Sequence, residues 1–220
     1  MISIALDGPS GAGKSTVAKA IAKELGYIYV DTGAMYRTIA LFTLLNGVEP
    51  TDEAAVSAIL PKLLLEVKYI DGAQRMFLCG EDVSDKIRTN EISMCASKVS
   101  ALPAVRAFLL DLQRNMAKTN NVIMDGRDIG TVILPDATVK FFMNASDEAK
   151  ARRRYEELLA KGENITLEEV RKTKAERDKS DSTRKIAPAV PAADAIMLDN
   201  SESLEKTLET AINIIKEKIQ

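Results

Sequence analysis

The chain has 220 residues, of which 46% are hydrophobic and 28% are charged, a composition that suits one sizeable α/β domain with its own core. Its formal net charge of −2 disfavours general binding of nucleic acid. Two cysteines and no histidine exclude a disulfide framework, a zinc site built from four thiolates or from imidazoles, and Ser-His-Asp catalysis.

The first part of the chain alternates strands with helices. The predicted elements are a strand from Ile2 to Leu6, a helix from Lys14 to Leu25, a strand from Tyr27 to Val30, and helices from Ala34 to Asn46 and from Asp52 to Leu64. Gly26 and Gly47 stand where two of the helices would stop, because glycine adopts the left-handed conformation that ends many helices. The alternation predicts an α/β fold with a parallel central sheet flanked by helices.

The alternation breaks off after Leu64. Two β-rich runs, Leu65 to Ile70 and Arg75 to Leu78, flank Asp71-Gly72, a pair that is typical of tight hairpin turns. We therefore predict a β-containing insertion of about residues 59–98 in a single domain of residues 1–220. The core of that domain would comprise about residues 1–58 and 99–220.

The second half of the chain returns to helices and strands. The predicted helices run from Asn90 to Ser100, from Pro103 to about Lys118, from Ser146 to about Lys161 and from Leu204 to Ile219, and the predicted strands from Val122 to Asp125, Val139 to Met143 and Ala195 to Leu198. Thr166 and Glu169 fit a capping box that opens a further helix. The most irregular stretch is Ser180 to Ala193, which contains two prolines.

A glycine-rich segment between the first strand and the first helix matches the pattern G-x-x-x-x-G-K-[ST]. It reads Gly8-Pro9-Ser10-Gly11-Ala12-Gly13-Lys14-Ser15, and Thr16 follows. Such a loop directs backbone N–H groups and a helix N-terminus at phosphate oxygens, so the phosphates of a nucleotide are the expected ligand. Lys14 would reach the β- and γ-phosphates, and Ser15 would hold Mg²⁺.

The loop alone fits GTPases, ATPases and kinases, and a purely structural turn is the minor alternative. The guanine-reading motif Asn-Lys-x-Asp is absent from the sequence, and the chain is short for a motor or transporter. A kinase for a small molecule is therefore favoured. Phosphoryl transfer also needs cations that neutralise the moving charge, so arginines outside the loop become candidates. They are Arg37, Arg106, Arg127, Arg152, Arg153, Arg154, Arg177 and Arg184.

Three of these arginines lie in a distinctive context. Arg37 ends the run Asp31 to Arg37, where Thr32 can cap a helix. Arg127 lies in Asp125 to Asp128, at the carboxyl end of a buried strand, which is where α/β sheets bind ligands. Arg184 ends the charged run from Glu176, which on its own fits a solvated helix face equally well.

Several segments together resemble one known family, the bacterial cytidylate kinases. They are Gly8 to Thr16, Asp31 to Arg37, Gly80 to Ser84, Ile87 to Thr89, Asp125 to Thr131, and Arg177 to Arg184 with its continuation Ala187 to Asp194. Their order and spacing match over essentially the whole chain. The resemblance implies a P-loop kinase of pyrimidine nucleotide metabolism that phosphorylates CMP and dCMP to CDP and dCDP with ATP and Mg²⁺. It also implies that the insertion binds the nucleoside monophosphate (NMP) and that a short lid spans about residues 150–165.

The resemblance also implies roles for individual residues. It places ATP on Gly8 to Thr16, the CMP phosphate on Arg37, Arg127 and Arg184 near Thr32, the cytosine on Ser97, Arg106 and Asp128, and the ribose near Arg177 and Asp181. The catalytic set would be Lys14, Arg127, Arg184 and Arg154 of the lid, although Arg152 and Arg153 are adjacent choices. Asp125 either orients Mg²⁺ through water or is structural.

The chemistry of cytosine and phosphate agrees with these roles. A carboxylate such as Asp128 accepts from the cytosine amino group, and a guanidinium such as that of Arg106 donates to the ring acceptors. A pair of this kind discriminates against the wrong base by ~1–3 kcal/mol, which gives a preference over UMP and not absolute exclusion. The acceptor oxygen of CMP is already anionic, so no general base is required.

Two other functions also fit the sequence: a kinase for AMP, dTMP or shikimate, and a nucleotide-binding module without catalysis. A nucleic-acid-binding protein is disfavoured by the acidic balance. No apolar run approaches the ~20 residues that span a membrane, and the N-terminus lacks the features of a signal peptide. We expect a cytoplasmic monomer whose partners are small nucleotides, with no membrane or nucleic acid.

Overall fold

The computed structural model describes residues 1–160 and 162–219. The strands in these ranges are β1 (Ser3–Asp7), β2 (Ile28–Asp31), β3 (Leu65–Ile70), β4 (Ala73–Leu78), β5 (Glu81–Asp82), β6 (Val122–Gly126), β7 (Val139–Asn144) and β8 (Ile196–Asp199). The α-helices are α1 (Lys14–Leu25), α2 (Thr32–Leu45), α3 (Glu53–Ile59), α4 (Asn90–Val99), α5 (Pro103–Thr119), α6 (Asp147–Ala160), α7 (Leu167–Thr183) and α8 (Leu204–Lys218).

The central sheet has five parallel strands in the order β2-β6-β1-β7-β8. Its register sets Asp7 opposite Gly126, and Asp31 opposite Asp125. Because the carboxyl ends of parallel strands share one edge of a sheet, the glycine-rich loop and the ends of β2 and β6 lie side by side. The predicted α/β class with a parallel sheet is confirmed.

Apolar cores cover both faces of this sheet. Successive residues of β1 point to opposite faces, so Ile4 and Leu6 join the core beneath α1 and α8, whereas Ala5 joins the core beneath α2 and α5. Burial on both faces explains why the strands are short, nearly continuous apolar runs. The sheet is thereby a rigid platform for the loops at its carboxyl edge.

The predicted hairpin is confirmed, and its sheet has a third strand. β3, β4 and β5 form an antiparallel sheet in chain order. Met76 and Ile87 of this region are fully or almost fully buried in the core that also contains α2. Gln74 accepts from the N–H of Asp31 at 2.8 Å and donates to its carbonyl oxygen at 3.2 Å, which fastens the hairpin to the end of β2.

Local signals predicted several boundaries correctly. α1 has the predicted bounds and ends at Gly26, whose φ is 68°. The capping box at Thr166 and Glu169 is present in full at the start of α7. Among the described residues no single helix is long and apolar enough to cross a membrane, and only α4 and α5 together, bent by 99°, meet that requirement of length and composition.

Other boundaries were wrong. Asp31, and not Thr32, caps α2, because its carboxylate accepts from the N–H of Ala34 at 2.8 Å. α3 ends at Ile59 and not at Leu64, since Pro61 cannot donate a helical hydrogen bond.

Two further differences concern β5 and α7. The short strand β5 was not predicted at all. α7 continues through Thr183, so the irregular stretch begins at Arg184 and not at Ser180. Lys161, to which the sixth helix was predicted to extend, lies outside the described residues.

Candidate active site

The glycine-rich loop turns from β1 into α1 at the carboxyl edge of the sheet. Gly8 has a φ of 146°, and a Cβ at this position would lie 1.9 Å from the carbonyl oxygen of Met143. Only glycine combines this backbone conformation with so close an approach. The chain therefore passes tightly over β7 before it curls into the loop.

Lys14 is buried at the first position of α1. Its Nζ donates to the carbonyl oxygen of Pro9 at 2.7 Å. Burial lowers the pKa of Lys14 to about 7, and repulsion by Arg127 adds to the effect although Asp125 and Asp7 oppose it. An anionic ligand beside this ammonium would restore its charged form.

Ser15 and Asp125 bring oxygen ligands next to the loop. The hydroxyl of Ser15 donates to Asp125 at 2.7 Å, and the phenol of Tyr29 donates to the other carboxylate oxygen at 3.2 Å. Burial, followed by the charge of Asp31, raises the pKa of Asp125 to about 6. A hydroxyl and one carboxylate fit Mg²⁺, which protein sites hold through few side chains plus substrate phosphates. No group of three or more His, Cys, Asp or Glu side chains within residues 1–160 and 162–219 forms a closed metal site.

The end of β6 leads into a wide helical turn that presents Arg127 and Asp128. Asp7, the last residue of β1, fixes this turn, because its two carboxylate oxygens accept from the N–H groups of Ile129 and Gly130, each at 2.8 Å. Burial raises the pKa of Asp7 to about 6, and the two backbone N–H groups oppose that effect. The strand that precedes the phosphate loop thus also positions the residues at the end of β6.

Asp128 is buried between two guanidinium groups. Arg106 of α5 forms an ion pair with one carboxylate oxygen, and Arg184 at the end of α7 donates to the other at 3.3 Å. Burial raises the pKa of Asp128, and both arginines oppose that effect. Arg106 is itself 9% exposed, so this is a buried ion pair and not a surface ion pair.

Asp181 of α7 organises a second pair of arginines. Its carboxylate accepts from the Nε of Arg127 at 3.3 Å and from the hydroxyl of Ser97 at 3.1 Å, and it lies 3.9 Å from the Nε of Arg177. Burial alone would raise the pKa of Asp181, but the two guanidinium charges outweigh it and lower that pKa below its usual value. Burial and the charge of Arg127 lower the pKa of Arg177 to about 10.

Asp31 organises a third pair. The same carboxylate oxygen lies 2.9 Å from Arg37 and 3.0 Å from Arg88, which precedes α4. Burial raises the pKa of Asp31, but these two arginines overcome it and the net shift is downward. Next to it, Thr32 donates to the backbone carbonyl of Asp125 at 2.7 Å, which ties the start of α2 to β6.

The three adjacent arginines of α6 differ in direction. Arg152 is exposed to solvent and lies outside the cavity. Arg153 and Arg154 both line the cavity, where Arg153 donates to the carbonyl oxygen of Asn200 at 2.7 Å and Arg154 donates to Glu157 at 2.9 Å. Of the three arginines predicted for the lid, Arg153 and Arg154 therefore line the cavity and Arg152 does not.

One cavity of about 540 Å³ unites these groups. Every residue that the sequence assigned to the acceptor lines it, as do Ser10, Gly11 and the loop residues from Gly13 to Thr16. The remaining loop residues, Gly8, Pro9 and Ala12, do not line it. Residues of the glycine-rich loop and the residues predicted to bind the acceptor therefore line one common cavity.

The cavity is strongly basic. Of the described residues, nine basic and five acidic side chains line it. The Nε atoms of Arg37 and Arg177 are buried and have no hydrogen-bond partner within the described part of the chain. Buried donors without partners are costly, so they indicate a place where a ligand with acceptor oxygens would bind.

Sequence reasoning missed several residues around the cavity. Asp31 and Arg88 lay within segments that carried the resemblance, but no local signal showed that they would pair. Asp7 precedes the loop directly, yet its partners lie in the turn after β6. Asn200 could not be found from its surroundings, because its contacts are with the phosphate loop.

The sequence has close relatives among known proteins. A family model described as cytidylate kinase matches residues 4–219. The chain is 45% identical to a cytidylate kinase from Caldicellulosiruptor bescii, with 99% of both chains covered. It is 47% identical to those of Geobacter sulfurreducens, with 98% of this chain and 93% of the relative covered, and of Streptococcus mutans, with 100% and 96% covered.

Solved structures share the fold at much lower identity. A gluconokinase from Sinorhizobium meliloti has a TM-score of 0.50 at 15% identity and covers 98% of this chain and 92% of its own. An uncharacterised protein from Eubacterium ventriosum has a TM-score of 0.50 at 13% identity, with 100% and 98% covered. At this identity the likeness concerns the fold alone.

Proposed function

The chain belongs to the cytidylate kinase family, and we propose that it transfers the γ-phosphoryl group of ATP to CMP and dCMP, giving CDP and dCDP in pyrimidine nucleotide metabolism. The observation that carries this proposal is the single cavity in which a phosphate-binding loop faces the buried pair of Arg106 and Asp128. The loop suits a nucleoside triphosphate, and the pair suits a base that offers a donor beside acceptors.

ATP would occupy the loop from Gly8 to Thr16. Backbone N–H groups and the N-terminus of α1 would bind its phosphate oxygens, and Lys14 would leave the carbonyl of Pro9 for the β- and γ-phosphates. The phosphates would also favour the charged form of Lys14, whose pKa is lowered in the ligand-free cavity.

Mg²⁺ belongs to the same proposal. The hydroxyl of Ser15 would hold it together with ATP phosphates, and Asp125, which accepts a hydrogen bond from that hydroxyl, would reach it through water. When bound, the ion would neutralise negative charge on the phosphates.

The phosphate of CMP would lie among Arg37, Arg127 and Arg184, with Thr32 at the start of α2. Each of the three guanidinium groups is oriented by a carboxylate, and the unpartnered Nε of Arg37 is a donor available to a phosphate oxygen. Preoriented arginines of this kind stabilise a transferring phosphoryl group without reorganisation during the reaction.

The nucleoside of CMP would lie beyond its phosphate. Asp128 would accept from the cytosine amino group, and Arg106 and Ser97 would donate to the ring acceptors. Arg177 and Asp181 would bind the ribose, a role for which the unpartnered Nε of Arg177 is suited.

The transfer needs no general base. An anionic phosphate oxygen of CMP would form the new bond to the γ-phosphorus. The attack is in line with the bond between that phosphorus and the β,γ-bridging oxygen. This second bond would break, and its electron pair would stay on the bridging oxygen of the departing ADP. The chain's own residues bind and orient the two nucleotides, and Lys14 with Arg127, Arg184 and Arg153 or Arg154 offsets the negative charge that both bring together.

The remaining features follow from this proposal. Residues 59–98 would be the NMP-binding insertion and residues 150–165 the lid, whose closure excludes water and suppresses hydrolysis of ATP. We further propose a cytoplasmic monomer that acts on free nucleotides and has neither nucleic acid nor membrane as a partner.

A panel of acceptors tests the proposal. ADP release from Mg·ATP is measured with CMP, dCMP, UMP, AMP, dTMP and shikimate in turn, and the phosphorylated product is identified by chromatography. CMP and dCMP are expected to give the highest kcat/KM. Highest activity with AMP, dTMP or shikimate would show that this molecule, and not CMP, is the acceptor. ATP binding without transfer to any acceptor would indicate a non-catalytic module.

A further inference from the structure

Asn200 lies in the loop between β8 and α8 and is 1% exposed. Its side-chain Nδ2 donates to the carbonyl oxygen of Ala12 in the phosphate loop at 2.8 Å. Its backbone N–H donates to the carbonyl oxygen of Asn144, at the end of β7, at 2.8 Å. A residue distant in sequence is thus anchored to the sheet on one side and holds the phosphate loop on the other.

The same residue also contacts α6 and α8. Arg153 of α6 donates to the backbone carbonyl of Asn200 at 2.7 Å and approaches the carbonyl oxygen of Ala12 at 3.5 Å. Thr207 of α8 lies 3.3 Å from the Oδ1 of Asn200. These contacts fix the amide group in one orientation, because both ends of it have a partner.

The hydrogen bond to Ala12 determines where the next N–H group points. In a planar trans peptide the carbonyl oxygen and the following N–H point in opposite directions. Since the carbonyl of Ala12 points at Asn200, the N–H of Gly13 points away from Asn200, and Gly13 lines the cavity. The amide of Asn200 therefore orients a backbone donor of the phosphate loop.

Close packing at Gly13 strengthens this constraint. Gly13 has a φ of 93°, and a Cβ there would lie 2.4 Å from the Nδ2 of Asn200. The loop consequently lies directly against the amide, with no room for an intervening side chain. Loss of the amide would free the peptide group between Ala12 and Gly13 to rotate.

We propose that Asn200 is a positioning residue of the donor site, which orients the phosphate loop through Ala12 and keeps Arg153 beside it. The inference rests on the proposed function, because it assumes that the loop binds ATP. It assigns no contact of Asn200 with CMP, whose predicted ligands lie on α2, α4, α5, α7 and the turn after β6. Loss of the amide should therefore weaken binding of the donor and spare that of the acceptor.

Titration calorimetry of Asn200→Ala with Mg·ATP and, separately, with CMP tests this inference. The Kd for Mg·ATP is expected to rise about tenfold, as the loss of a preorganised buried hydrogen bond would cause, and the Kd for CMP to stay within about twofold. Asn121→Ala is the matched control. Its side chain accepts from the N–H of Ile2 at 2.8 Å, at the opposite edge of the sheet, so this variant loses a comparable amide far from the loop.

An equal change in the Kd for Mg·ATP in both variants, or none in either, would overturn the inference. Asn200→Leu keeps the side-chain volume and should show the same selective loss of ATP binding if Asn200→Ala does not fold. The readout is also independent of the acceptor. Failure of the wild-type protein to form CDP would contradict the proposed function, whereas unchanged ATP binding in the Asn200 variants would contradict only the role of Asn200.

Discussion

At the scale of single residues, the cavity is organised by aspartates that each hold two arginines. The sets are Asp31 with Arg37 and Arg88, Asp128 with Arg106 and Arg184, and Asp181 with Arg127 and Arg177. Each carboxylate offsets one of the two positive charges beside it. The excess charge faces a cavity that is already organised before any nucleotide binds, which reduces the reorganisation required during transfer.

Asp128 should govern the choice of base. Asp128→Asn keeps the shape of the side chain but removes the charge and turns one acceptor into a donor, so the cytosine amino group loses its partner. We expect the ratio of kcat/KM for CMP over UMP to fall by ~10- to 100-fold. Steady-state kinetics with both acceptors measures it, and Asp136→Asn, on the exposed surface, is the control. A ratio that stays at the wild-type value would remove Asp128 from base recognition.

At the scale of elements, the hairpin of β3 and β4 is coupled to the proposed acceptor site. Gln74 of β4 bonds both backbone groups of Asp31, much as a neighbouring strand would, and Tyr69 of β3 donates to the carbonyl oxygen of Tyr29 at 3.0 Å. Asp31 in turn caps α2 and holds Arg37. The position of the hairpin therefore affects the proposed phosphate ligand of CMP.

Removal of the hydrogen bonds between Gln74 and Asp31 should weaken binding of CMP and leave binding of ATP nearly unchanged. Gln74→Ala deletes two hydrogen bonds of ~1 kcal/mol each, so the KM for CMP should rise by about three- to thirtyfold while the KM for ATP changes little. Kinetics with each nucleotide varied in turn measures both values. Glu66→Ala, on the exposed face of the same hairpin, controls for general effects on the insertion. Equal increases in both KM values would indicate a loss of fold rather than a loss of coupling.

Sequence predicted those elements whose signals are local. The bounds of α1, the turn at Asp71-Gly72 and the capping box at Thr166 each depend on residues within a few positions. Two adjacent polar side chains, Asp31 and Thr32, could both cap α2, and sequence alone did not favour the correct one.

Contacts between residues far apart in the sequence could not be predicted, because the sequence signals are local. Asp7 and Ile129 are 122 residues apart, and Asn200 and Ala12 are 188 apart. Only the strand order β2-β6-β1-β7-β8 brings these partners together, and no pattern near either residue encodes that order. The resemblance to a family supplied the predicted site residues, Asp128 and Asp181 among them, but it did not show that these aspartates and Asp31 each pair with two arginines.

At the scale of the whole molecule, the ligand-free protein carries buried charges that oppose folding. Burial shifts the pKa values of Lys14, Asp7 and Asp125 toward the neutral forms of the side chains, which means that their charged forms cost stability. These residues lie at the loop and at the strand ends that support it. Stability has thus been lost where the proposed chemistry needs charge.

The loss of stability that comes from burying charged Lys14 predicts how the free energy of unfolding depends on pH. Its pKa is about 7 in the folded protein and 10.5 for the free side chain, so between these values the unfolded chain holds a proton that the folded protein lacks. The free energy of unfolding should therefore increase as pH rises through this window. Below about pH 7 Lys14 is charged in both states, and its burial then lowers the free energy of unfolding by the full amount.

Lys14→Met should accordingly be more stable than the wild type at neutral pH and below, and its advantage should shrink as pH rises toward 10.5. Denaturant unfolding of ligand-free protein between about pH 6 and pH 9 measures the difference. Lys23→Met, at an exposed position of the same helix, should show no such trend. A constant difference across this range would contradict the burial cost assigned to Lys14.

The central claim is that a phosphoryl group passes directly from ATP on the glycine-rich loop to CMP in the same cavity. Transfer of a radiolabelled γ-phosphate from Mg·ATP to CMP, followed by chromatographic separation of CDP, tests it most directly. The label should appear in CDP with the wild-type protein, and transfer should fall by at least about a hundredfold in folded Lys14→Ala. Label that stays in ATP or appears only as inorganic phosphate, or undiminished transfer by Lys14→Ala, would contradict the claim.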